Sequence, residues 1–73
     1  MTIEELIAKT LTISANRVSD ATRMQDVAEW DSLKHMELIL SVEREFSLEL
    51  TGDEIAEMTS VAAIKKILKD HGT

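Results

Sequence analysis

Asp31, Ser32 and His35 are the residues whose types and spacing hold the most chemistry in this chain. Three positions apart on a helix, a serine hydroxyl and an imidazole share a face. With Asp31 adjacent, a nucleophile, a base and an acid fall within one turn. Hydrolysis needs more than that. A serine nucleophile also requires an oxyanion hole and a base oriented by a third group. The sequence offers no glycine-rich turn to supply backbone donors and no strand leading into a G-x-S-x-G elbow. The S-x-x-K arrangement fails too, because His35 stands where the lysine belongs. No catalytic residue is assigned, and a lone histidine on a helix is read as a surface or core-edge residue.

Other site chemistries are excluded in turn. His35 and His71 are far apart without ligand spacing, and the chain has no cysteine, so no metal site is expected. The acidic stretch "TGDEIAE" lacks the alternating ligands of a calcium loop. Glycine-rich phosphate and dinucleotide motifs are absent. What remains is Ser32 itself, placed just ahead of an apolar-periodic run. Either Asp31 or Ser32 caps the helix that follows, or the serine is a point of attachment.

The elements that must position it are helical. Thr2 and Glu5 form a capping box ahead of Ile3, Leu6, Ile7 and Leu11, which line one face of a first helix. A second helix is expected from about Ser32 to Phe46. Its apolar residues Leu33, Met36, Leu38, Ile39, Leu40, Val42 and Phe46 cover much of the circumference, which predicts a central helix touched by several neighbours. Thr51 and Glu54 form another capping box and predict a short third helix through "TGDEIAEM". A last helix runs from about Ser60 to Asp70, capped by Thr59 or Ser60. Lys65, Lys66 and Lys69 suit its negative end, and Gly72 serves as the stop. Between the first and second helices lie 17 residues, "SANRVSDATRMQDVAEW", without a sustained period. Val18, Met24 and Val27 are expected to pin this connection onto the core, and Thr22–Gln25 allows one helical turn. Low aromatic and only moderate β-branched content argue against a sheet.

Seventy-three residues make one small domain, 1–73, which buries roughly 60% of its unfolded surface. A deep cleft is beyond its means. The net charge of −6 is unevenly spread: residues 26–57 hold ten acids against two bases, −8, while the remainder is +2. An acidic half of this kind repels nucleic acid and attracts basic protein surfaces. The acidic start "MTIEELIAKT" is no signal peptide, and no apolar run approaches the roughly 18–20 residues of a membrane span. The expected location is the cytoplasm, as a soluble monomer.

The wider stretch "DSLKHMELILSVEREFSLELTGDEIAEMTSV", residues 31–61, resembles the acyl carrier and peptidyl carrier protein family without a gap. The family's D-S-L matches Asp31, Ser32 and Leu33, and its E-L pair matches Glu37 and Leu38. Its E-x-E-F helix end matches Glu43, Glu45 and Phe46, and its acidic short helix with a T-x-V start matches "DEIAEMTSV". The resemblance covers nearly the whole chain. It implies an all-α, small four-helix bundle with a short third helix and a long loop between helices 1 and 2. It further implies a 4′-phosphopantetheine arm, taken from coenzyme A, on Ser32, flanked by Asp31 and Leu33. Thioester chemistry needs a thiol and this chain has none of its own, so a borrowed thiol agrees. A phosphodiester by a helix N-terminus is favoured by about 0.3–1 kcal/mol. Asp31 opposes that charge, so its role, by resemblance, is recognition by the phosphopantetheinyl transferase and its magnesium-bound coenzyme A.

The remaining site expectations also follow the resemblance. Trp30, Lys34, Glu37, Glu43, Arg44, Asp53 and Glu54 are candidate partner contacts, Trp30 having loop packing as its alternative. Met36, Ile39, Leu40, Ile55 and Met58 are candidates for an acyl pocket between the second and third helices, the methionines serving equally as adaptable core fillers. The implied partners are the phosphopantetheinyl transferase, an acyl or aminoacyl ligase or acyltransferase, and ketosynthase-type enzymes with basic docking surfaces. Lys34 and Arg44 interrupt an acidic strip, and Trp30 replaces a smaller residue. The chain is therefore more similar to discrete carriers of polyketide, nonribosomal peptide, or envelope-glycan and lipid pathways than to a housekeeping fatty acid carrier. An aminoacyl or peptidyl carrier, and an acidic helical interaction module that carries nothing, are the alternatives.

Overall fold

A computed structural model describes all 73 residues and contains four α-helices and no strand. They are α1 (Ile3–Leu11), α2 (Ser32–Phe46), α3 (Gly52–Glu57) and α4 (Val61–Asp70). The fold class expected from the periodicity is the one observed.

Local chemistry accounts for the helix starts. Thr2 accepts from the Glu5 amide while Glu5 reaches back to the Thr2 amide, and Thr51 and Glu54 repeat the arrangement on α3. Each box satisfies two of the amides a helix start would leave unpaired. Asp31 caps α2 through the Lys34 amide, and Ser60 caps α4 through that of Ala63. The helix ends are less regular. Thr12 and Ser47 close α1 and α2 with positive φ angles of 58° and 52°, a left-handed conformation that glycine usually supplies. Only Gly72 after α4, at 81°, follows that preference.

Ile7, Leu11, Leu38, Ile39, Val42, Met58, Val61, Ile64 and Trp30 are almost wholly buried and form the centre of one core. Truncating a buried leucine or isoleucine of this kind to alanine costs about 2–5 kcal/mol. The long connection between α1 and α2 is packed rather than loose. It holds two short 3₁₀ turns, Ala15–Arg17 and Met24–Asp26, the second overlapping the turn expected within Thr22–Gln25. Val18 and Val27 are buried, and Met24 is half-buried against the core. Its backbone is clipped to the α3–α4 junction: the Met24 amide donates to the Thr59 carbonyl at 2.8 Å, and the Val61 amide to that of Thr22 at 3.0 Å. The radius of gyration, 11.0 Å, is about what a folded chain of this length has.

One expectation is corrected. α2 is not enclosed by several neighbours. It buries His35, Leu38, Ile39 and Val42 and packs chiefly on α1, while Leu33, Met36 and Leu40 stand 69%, 48% and 55% exposed. Its apolar excess therefore lies on the outside, because the six-residue α3 is too short to cover a helix of fifteen.

Candidate functional site

The question left open by the sequence was which residue caps α2. Asp31 does: its Oδ1 accepts the Lys34 amide at 2.9 Å. Ser32 is thereby the first residue of the helix, exposed, and its hydroxyl makes no hydrogen bond within the chain. A cap would have spent that oxygen on the backbone. Here it is available, beside the positive end of a fifteen-residue helix where the amides of Ser32 and Leu33 have no intrachain acceptor. Those groups fit an anionic phosphodiester joined to the Ser32 Oγ.

His35 does not serve Ser32 as a base. The ring is buried at 8% exposure and both nitrogens are engaged. The Trp30 indole N–H donates to Nδ1 at 3.1 Å, and Nε2 lies 2.9 Å from the Ile55 carbonyl. These partners assign a neutral imidazole with its proton on Nε2, since an indole only donates and a carbonyl only accepts. The two rings sit 6.1 Å apart, tilted by 32°. Trp30, at 2% exposure, is thus corrected from a partner contact to a packing residue, held inward by its own N–H. The sequence reading missed this role of His35. The signal was there: His35, Leu38, Ile39 and Val42 fall at i, i+3, i+4 and i+7, which places the histidine on the inner face.

The candidate partner contacts divide by what their side chains already hold. Glu43 is half-buried and accepts the Leu50 amide at 2.9 Å. Glu54 is occupied by the Thr51 amide and by the His71 ring, 2.7 Å away. These two contacts hold the Glu54 carboxyl below its ordinary range, the Thr51 amide contributing most. Lys34 pairs with Glu37 at 3.1 Å across an exposed turn. Arg44 and Asp53 are exposed and make no ion pair. Along α2 run Leu33, Met36 and Leu40, three of the four large apolar residues the fold leaves exposed. They follow one another at helical spacing from the Ser32 end of α2, so the site hydroxyl sits at the head of an apolar ridge.

The residues expected to form an acyl pocket do not meet in one cavity. Ile39 and Met58 are in the core, Ile55 is half-buried, and Met36 and Leu40 face outward. Leu40 borders instead a shallow depression between α1 and α2, with Leu6, Lys9 and Arg44. None of the surface depressions is lined by α3, and His35 holds the Ile55 carbonyl 2.9 Å from its ring.

No group of acidic, histidine or cysteine side chains in the structure could hold a metal ion, and no helix is long and apolar enough to cross a membrane. Residues 2–68 match the sequence model of a family described as "Phosphopantetheine attachment site". The chain is 32% identical over 69 residues to an acyl carrier protein of Buchnera aphidicola subsp. Baizongia pistaciae, covering 94% of this chain and 88% of that one. It is 30% identical over 69 residues to an acyl carrier protein of Clostridium acetobutylicum, covering 94% of this chain and 90% of that one.

Proposed function

The chain belongs to the phosphopantetheine-binding acyl carrier family, and from that premise we propose that Ser32 is the residue that carries the arm. The family's cofactor is 4′-phosphopantetheine, covalently attached; once joined, it supplies the terminal thiol on which an acyl group is held as a thioester. The single observation supporting Ser32 is its unspent, exposed hydroxyl at the first turn of α2, left free because Asp31 takes the capping role. Asp31 and Leu33 flank that hydroxyl and are proposed to meet the transferase that loads it.

Cargo is then delivered by presenting the same end of α2 to one enzyme after another. The docking surface is the ridge of Leu33, Met36 and Leu40, bordered by Lys34, Glu37 and Arg44, with Asp53 of α3 beside it. Apolar area supplies the affinity, and rim charges tune encounter rate and partner choice. Glu43 and Glu54 support this surface from within rather than meeting partners directly. Acyl rather than aminoacyl cargo is favoured by the relatives, which are named acyl carrier proteins. A specialised lipid, polyketide or envelope pathway is supported by Lys34 and Arg44, which interrupt the acidic strip of α2, Lys34 paired with Glu37 and Arg44 unpaired. A long acyl chain entering between α2 and α3 would have to part the Ile55 carbonyl from His35, so that space opens on loading rather than standing ready.

The test is incubation with a promiscuous phosphopantetheinyl transferase, coenzyme A and magnesium, followed by intact mass measurement. One added phosphopantetheine, absent from Ser32→Ala, is expected. A Ser32→Ala variant that is still modified refutes Ser32 as the attachment residue, and a wild-type chain left unmodified favours an interaction module that carries nothing.

A further inference from the structure

His35 joins three segments that are otherwise separate. It lies three residues after Ser32, one helical turn along α2. Its Nδ1 receives the Trp30 N–H from the end of the long connection, and its Nε2–H reaches the Ile55 carbonyl of α3. That second contact is the one hydrogen bond between α2 and α3. The carbonyl it meets is at the C-terminal end of a six-residue helix, where the only other donor is the Met58 amide at 3.3 Å. Helix ends are where carbonyls lack partners, so His35 caps α3 from the neighbouring helix.

α3 needs such a tether. None of its six residues is fully buried. Its other attachments are the half-buried Ile55 side chain packed against the core, Met58 just beyond the helix, and the Glu54–His71 contact to the end of α4. Short elements with little buried surface are the first to open locally.

We propose that His35 is a positioning residue for the loading of Ser32: its neutral ring holds α3 in register against the first turn of α2, so that an enzyme closing over the Ser32 hydroxyl meets the two helices as one preformed surface. This rests on the carrier reading above and deepens it. His35 touches no reacting atom. It acts through the Ile55 carbonyl, and its loss lowers the fraction of chains whose docking surface is complete. An affinity that depends on a fractionally populated conformer falls in proportion to that fraction.

Two substitutions separate its two bonds. In His35→Gln the amide nitrogen sits near the position of Nε2 and keeps the donor to Ile55. In His35→Asn the amide oxygen sits near Nδ1 and keeps the acceptor for Trp30, but the side chain is too short for α3. Loading by a phosphopantetheinyl transferase is measured for wild type and both variants, with circular dichroism showing that each is folded and amide exchange followed at Met58 and Thr59. The expected result is a KM for the carrier raised about fivefold or more in His35→Asn with kcat unchanged, faster exchange at those amides, and near wild-type values in His35→Gln. A folded His35→Asn with wild-type KM overturns the proposal. Equal losses in the two variants overturn it as well, because they would follow stability rather than the bond to α3. A wild-type chain that takes up no phosphopantetheine removes the carrier reading itself, and this role with it.

Discussion

Replacing Trp30 with phenylalanine isolates the buried indole–imidazole bond. Phenylalanine keeps most of the ring volume but deletes the N–H that donates to His35 Nδ1 at 3.1 Å. The fold leaves no buried side-chain nitrogen or oxygen unpartnered, so this change creates its first orphan. Loss of a buried partner costs about 1–3 kcal/mol, and the smaller ring leaves a void that adds roughly 1 kcal/mol. A chain of this length has a total stability of about 4–11 kcal/mol, so a loss of about 2–4 kcal/mol is conspicuous in a urea titration followed by circular dichroism. His35→Leu removes the acceptor instead and strands the indole N–H, at a similar cost. The double variant strands neither member of the pair. Its destabilisation is expected to fall short of the sum of the singles by about 1–2 kcal/mol. Additivity within about 0.5 kcal/mol would show that the two rings are merely neighbours, and would remove the physical basis given for the inward placement of Trp30.

Asp31→Ala deletes the α2 cap and should cost about 1 kcal/mol, lowering the melting temperature by roughly 4–8 °C. Asp31→Asn keeps the acceptor for the Lys34 amide, so it should melt near wild type, and any loading defect it retains belongs to recognition of the charge. Leu33→Ser removes a side chain that is 69% exposed; calorimetry should find stability within about 0.5 kcal/mol of wild type, while transferase KM rises by about tenfold or more if the side chain is buried on docking. A normal KM would take Leu33 out of the docking surface. Stability should also depend on pH in a defined direction. Glu4 is held below its ordinary 4.5 by Lys65, Glu5 by the Thr2 amide, Glu29 by Arg17, and Glu54 by the Thr51 amide and His71. Their contribution is complete above 4.5 and is lost as pH falls through the lowered folded-state values. Lys65 is raised above 10.5 by Asp20 and Glu4, so its contribution is complete below 10.5 and is lost as pH rises through the raised value. Melting temperature against pH should therefore show a plateau falling away on both sides, and a melting temperature that climbs on acidification below 4.5 would contradict these contacts.

Features that depend on residues close together in the chain were legible without coordinates. The capping boxes at Thr2 and Thr51 and the extent of α2 follow from groups three or four residues apart, and Gly72 marks the stop after α4, while Thr59 and Ser60 were equal candidates until the structure selected Ser60. The position of Ser32 at a helix start belongs to the same class, because D-S-L ahead of an apolar period places it there. Tertiary structure decided the rest. Periodicity could not separate a helix face that meets a neighbour from one that meets solvent, so α2 read as a central helix while its Leu33, Met36 and Leu40 stand outside. Val18, Met24 and Val27 marked where the 17-residue connection meets the core, but nothing in the sequence indicated its backbone partners, Thr59 and Val61, which lie more than thirty positions further along. His35 showed the same limit: its partners come from the loop before α2 and from a carbonyl twenty residues later. An imidazole can donate, accept or do both, and only the folded arrangement of an indole on one side and a helix end on the other selects which.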